Sequence, residues 1–150
     1  MSWFLAIWEY VFVFILAAIP WIEIAAVIPL SIINEMNAFS VGLLAFIGNL
    51  STVYLLVIFF EKYQEWRVRK KGKPSKKQAR GEKVWRKYGL PGLAFLGPLV
   101  IGSHIAAIVG LALGAKKRPT LLWMTISLAV WTLVFTLTSV YAIELLGFPR

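Results

Sequence analysis

The chain has no cysteine, no aspartate and a single histidine, and only 15% of its 150 residues are charged. Without thiols there is neither a disulfide scaffold nor thiol chemistry. One histidine without cysteine or aspartate does not make a metal site, so no metal and no cofactor is expected. Soluble domains carry about 25% charged and about 45–50% apolar residues. Here the apolar share is 59%, and no charge at all falls between Met36 and Phe60 or between Pro119 and Ile143. As a helix, either stretch reaches roughly 37 Å, enough to cross a hydrocarbon core of about 30 Å. A soluble globular domain and a disordered chain are excluded. The composition describes an integral membrane protein.

The charge that is present is placed unevenly. Sixteen basic residues face seven acids, a net charge of +9, and twelve of the sixteen lie between Lys62 and Lys87. A basic protein invites a nucleic-acid reading. A cluster packed between apolar blocks instead sets orientation and meets anionic lipid headgroups. No nucleic-acid partner is expected, and segment 62–87 is expected in the cytoplasm. The first apolar stretch has neither a basic leader nor a small-residue cleavage site, so it should persist as a helix.

Blocks follow one another along the chain. Residues 3–19 read as a transmembrane helix interrupted by Glu9 and stopped by Pro20. Residues 20–38 form a shorter block with Glu23 and Pro29. Residues 39–71 read as a second transmembrane helix that runs on into the cytoplasm. Residues 72–88 are a basic loop with an amphipathic helix, whose Val84, Trp85 and Tyr88 suit the headgroup region. Residues 89–115 are broken by Pro91, Gly97, Pro98 and Gly102. Residues 119–146 are a clean final span.

Lys116, Lys117 and Arg118 prefer the cytoplasm by the same positive-inside rule as 62–87. Block 89–115 would then begin and end on one side. Twenty-seven residues cannot cross twice, since two crossings need about 40. They can enter and turn near Gly97-Pro98, as a re-entrant hairpin shielded by protein or water. The alternative is one kinked span. Block 20–38 reads as the opposite hairpin, turning at Pro29, and aligning Pro29 with Pro98 pairs residues 24–29 with 93–98. The expected fold is all-α, an inverted repeat of two re-entrant hairpins each followed by a transmembrane helix.

These residues also resemble a family. Pro20-Trp-Ile-Glu23, Ile28-Pro29 and Gly48-Asn49, then Lys87-Tyr-Gly-Leu-Pro-Gly92, Gly97-Pro98, Gly102-Ser-His104 and Gly114 are similar to the putative small multidrug export protein family, over roughly residues 17–145. That bacterial family resembles the DedA-like, or VTT-domain, superfamily. The resemblance implies the inner membrane and a transport activity. The superfamily is associated with moving polyprenyl phosphates and other lipids. Residue 25 is Ala where family members often carry Arg, and no apolar block here contains an arginine, which weakens a phosphate-binding reading.

Intramembrane ionisable residues are expensive and are read as functional by default. Glu23, which the family motif covers, is the first candidate, as a proton- or cation-binding carboxylate; it could instead cap a half-helix. Glu9 has the same two-sided reading, either exchanging protons or hydrogen-bonded near the interface. Glu35 lies in a wet turn. His104 could relay protons or hold the packed halves together. Asn49 could bond to a hairpin backbone. The glycines permit close helix approach, and Trp3, Trp21, Trp66, Trp85 and Trp123 read as interface anchors. Trp8 and Trp131 lie deeper, lining an aromatic path or facing lipid. No Ser-His-Asp order, phosphate loop or catalytic carboxylate pair is present, so an enzyme is not expected.

The sequence thus points to a transporter for protons and a lipophilic cation, with substrate held between the hairpin tips. The alternative is translocation of an anionic lipid such as a polyprenyl phosphate, and a non-transporting scaffold is a third class. With so few walls in one chain, a homodimer among membrane lipids is expected. The topology has a direct check. A cysteine placed at Lys117 should stay unlabelled by an impermeant thiol reagent in intact cells and react once the membrane is opened.

Overall fold

The computed structural model describes residues 2–20, 22–60, 62, 65 and 76–146. Trp21, Trp66, the Trp3 side chain and the start of the basic loop lie outside the described residues, as does most of the extension expected after Phe60. Six helices are present among the described residues: α1 (Ser2–Ala18), α2 (Ile24–Ile33), α3 (Ala38–Ile58), α4 (Lys76–Val100), α5 (Ser103–Ala112) and α6 (Lys117–Leu146). No strand occurs among them. Two, α3 and α6, are long and apolar enough to cross a membrane. At ten residues each, α2 and α5 reach only about 15 Å, half a hydrocarbon core.

Chain contacts divide the molecule into two compact units, residues 1–51 with 128–150 and residues 52–127. In the first unit α1 packs on α2. Ile24, Val27 and Ile28 of α2 are buried, as are Val13 and Ala17 of α1 and Val41 and Ala45 of α3. A Cβ on Gly48 would stand 2.5 Å from the Phe14 carbonyl oxygen, so only glycine lets α3 come this close to α1. Asn37 starts α3, its Oδ1 accepting from the Ser40 N–H at 3.0 Å.

In the second unit α4 changes direction at Gly89 (φ 66°, ψ −159°), which separates a basic stretch from an apolar limb. The limb and α5 form a helical hairpin. Gly97 faces Ala106 across it, and the Gly97 carbonyl accepts from both Ile101 and Gly102, closing the limb just before Gly102 (φ 93°). Block 89–115 is therefore two short helices packed on one another. The basic stretch of α4 does not stand apart. It packs back on this hairpin, where a Cβ on Gly81 would meet Ile101 Cδ1 at 3.0 Å and Val109 Cγ2 at 3.1 Å. At the far end of the hairpin Lys117 Nζ donates to the Ile58 carbonyl at 3.3 Å, fastening the start of α6 to the end of α3.

The same plan occurs twice. Helix α2 ends in a Schellman closure, with the Glu35 N–H on the Ile32 carbonyl, the Met36 N–H on Ser31 and Glu35 at φ 62°. Helix α5 ends identically, with Gly114 on Leu111, Ala115 on Gly110 and Gly114 at φ 100°. Glu35 follows Glu23 by twelve residues, as Gly114 follows Gly102, and the next helix starts three residues later in both halves. By this register Gly48 corresponds to Ser127. One crowds the Phe14 carbonyl, and the other donates to the Ala94 carbonyl at 2.7 Å.

Two expectations differ from this. Residues 20–38 do not make a hairpin alone, because they hold one helix, and its packing partner is α1. Pro29 marks no turn. It sits inside α2, and the turns fall at Asn34–Met36 and at Gly102. The counterpart of Pro98, in the last turn of its limb, lies near Pro20 rather than at Pro29. The steric fit at Gly97 can be measured. A Cβ there would stand 2.3 Å from Ala106 Cβ, so Gly97→Ala should lower stability by about 1–3 kcal/mol. Adding Ala106→Gly should recover most of that loss in a thermal melt in detergent.

Candidate functional site

Glu23 occupies the N-cap position of α2, in extended backbone (φ −80°, ψ 163°), and its carbonyl accepts from Ala26 and Val27 to start the helix. Its side chain does not cap the helix. The half-buried carboxylate points instead to α3, where Asn49 Nδ2 donates to Glu23 Oε2 at 3.3 Å. Asn49 is fully buried. The sequence placed Asn49 against a hairpin backbone; in the structure it donates to the carboxylate of the residue that starts α2. Apart from Arg150, which lies outside the described residues, the first unit contains no basic residue. An amide, which can donate to a carboxylate or accept from a carboxylic acid, suits both protonation states of Glu23.

The second unit holds a different polar group. His104, 2% exposed, is the second residue of α5. Its Nε2 lies 2.8 Å from Thr52 Oγ1 and its Nδ1 lies 3.2 Å from Ser103 Oγ. Each ring nitrogen thus faces a hydroxyl, which can donate or accept. Either neutral tautomer is satisfied, and so is the imidazolium, which would donate to both oxygens. Sequence reasoning missed Thr52 and Ser103 as partners. The signal available was their spacing, Ser103 beside the histidine and Thr52 three residues after Asn49 on α3.

Glu9 stands elsewhere. It lies on an exposed part of α1, and no hydrogen bond joins it to Glu23 among the described residues. Glu35 is exposed in the closing turn of α2, as the sequence implied. Trp8 is 47% exposed, Trp131 stacks on Phe135 at 5.5 Å, and Trp123 meets Phe95 edge-on at 6.3 Å. Gly97 and Pro98 lie in the limb before the second turn, and Gly102 is the turn residue. Tyr54 and Thr125 share a hydroxyl contact at 3.0 Å that ties α3 to α6 in the second unit.

Both polar groups lie inside the stretch that a family description covers. The family described as "Putative small multi-drug export protein" matches residues 23–134. The chain belongs to this family. The match starts at Glu23 and takes in Asn49, Thr52, Ser103 and His104, and it omits Glu9. No curated protein and no solved structure matches the chain. As a family member with two apolar helices of spanning length, the chain is a membrane protein. Its outward side chains agree: Phe39 is 77% exposed and Leu133 63%, surfaces that lipid solvates at no cost and water does not.

The imidazole arrangement yields a stability test. Thr52→Val removes the hydroxyl that meets a buried ring nitrogen and should cost about 1–3 kcal/mol. Thr52→Ser keeps the hydroxyl and should melt close to the parent, as read by thermal unfolding of the purified chain.

Proposed function

We propose that this protein exports lipophilic cations in exchange for protons, with Glu23 as the carboxylate that both compete for. The observation that carries the reading is the Glu23–Asn49 pair: a half-buried acid at the start of a ten-residue apolar helix, held by a fully buried amide. An ionisable group in such a place is costly to keep and marks a pathway for ions or substrates. Membership in a family named for multidrug export supports the same activity. His104, with a hydroxyl at each nitrogen, is suited to pass a proton on without losing a hydrogen-bond partner.

The topology follows from charge. Segment 62–87 is cytoplasmic in the inner membrane. The Lys117–Ile58 contact supports an α4–α5 hairpin that enters and leaves on that same side. Half-spanning helices with Gly-ended turns are how many secondary transporters build a site at membrane depth.

Reconstituted proteoliposomes test this. An imposed proton gradient should drive ethidium movement, and Glu23→Gln should reduce the rate at least tenfold, whereas Glu9→Gln should retain most of it. Ethidium flux that ignores both the gradient and Glu23→Gln would overturn the exchange. Gradient-independent flipping of a lipid headgroup would put lipid translocation in its place.

A further inference from the structure

Residues 76–88 carry six basic side chains and one acid, Glu82. Lys76, Arg80, Lys83 and Lys87 follow at intervals of four, three and four residues, which puts them on one face of the helix. All four are exposed, as is Arg86 between them. The opposite edge is turned inward: Gly81 is buried, and Val84 and Trp85 are half-buried. A Cβ on Gly81 would meet Ile101, beside the hairpin's turn, and Val109 of α5. The stretch therefore lies back along the hairpin, and its apolar edge is already used there.

A second basic group reaches the same hairpin from its other end. Leu90 and Ala115 lie 3.4 and 4.0 Å from the place a Gly110 Cβ would take, so the start of the limb and the close of α5 are side by side. Lys87 stands three residues before Leu90, and Lys116 and Arg118, both exposed, follow Ala115. Among the described residues no carboxylate pairs with any of these cations. Like charges four apart on a helix repel, and here nothing in the chain offsets them. The partner such a surface lacks is an anion.

Position selects which anion. The charge stops at Gly89, and residues 90–100 are uncharged. Tyr88, 52% exposed and with Lys87 Nζ 5.1 Å from its ring, stands at that boundary, as aromatic residues do where hydrocarbon meets headgroups. In a membrane protein this is the level of the lipid phosphates, where Lys and Arg are drawn to an anionic leaflet. We infer that anionic phospholipid headgroups bind this basic face, from the 76–88 stretch to Lys116 and Arg118, and clamp the stretch onto the hairpin that carries His104. The lipid is a fixed ligand of the hairpin and not cargo, so the inference stands apart from proton exchange and its test needs no transport.

Hydrogen exchange of the purified full chain tests it, in nanodiscs of phosphatidylcholine alone and with phosphatidylglycerol added. Phosphatidylglycerol should slow exchange in residues 81–88 and 103–109 by roughly tenfold or more, about the worth of two such charges, and high salt should undo the slowing. Arg80→Gln/Lys83→Gln/Arg86→Gln should exchange alike in both lipids and like the parent in phosphatidylcholine, because it removes exposed charges that have no partner in the chain. Gly81→Leu keeps every charge but obstructs the contact with Ile101. It should still carry phosphatidylglycerol through purification, yet lose the slowing at 103–109. Equal exchange of the parent in the two lipids, or undiminished slowing in the charge variant, overturns the inference. Slowing at 103–109 that survives Gly81→Leu overturns the clamp. Slowing by inorganic phosphate in phosphatidylcholine discs would make the face a site for a free anion and overturn the lipid.

Discussion

A helix of ten residues ends with about four unpaired amides at one end and four unpaired carbonyls at the other. At about 15 Å long it cannot carry both ends out to water across a hydrocarbon core. Helices α2 and α5 are this short, and each answers its unpaired backbone groups locally. Each closes with the same pair of backbone hydrogen bonds around a left-handed residue, Glu35 in one and Gly114 in the other. The limb before α5 closes on the Gly97 carbonyl, which takes two N–H groups at once. Close packing at glycines then holds the helices themselves together. Gly48 admits the Phe14 carbonyl, Gly97 admits Ala106, and Gly81 brings a basic stretch of helix down onto Ile101.

The two polar groups differ in chemistry and suit different tasks. Glu23 with Asn49 can hold one proton or one positive charge. His104 between Thr52 and Ser103 can keep its hydrogen bonds whichever nitrogen is protonated. Asn49 and Thr52 lie three residues apart on α3, so this single helix supplies a partner to each group.

Long uncharged runs made α3 and α6 legible in the sequence to within a few residues, because hydrocarbon thickness is a strong and simple requirement. That block 89–115 breaks was legible from its glycines and prolines, but the turn was read near Gly97-Pro98 and falls at Gly102, because Gly97 and Pro98 continue the limb. The proline alignment was not a reliable guide. Pro29 continues its helix, so a residue type often found at turns misplaced the repeat by ten positions. The true register is carried by spacing and by backbone conformation, and Glu35 disguises it by standing where its counterpart is glycine. Glu23 was readable as an acid in an apolar block, but its amide partner lies 26 residues away and emerges only from packing.

The division of the chain has a consequence for its synthesis. The second unit is one continuous stretch, Thr52–Ser127, whereas the first joins Met1–Ser51 to Leu128–Arg150. As the chain leaves the ribosome, the second unit is complete while the first still lacks the C-terminal part of α6. Helices α1 and α2, with Glu23 already in place, must therefore wait for the last 23 residues of the protein. Their apolar faces are then open to whatever insertion machinery or lipid attends them. The half that carries the acid is made first and finished last.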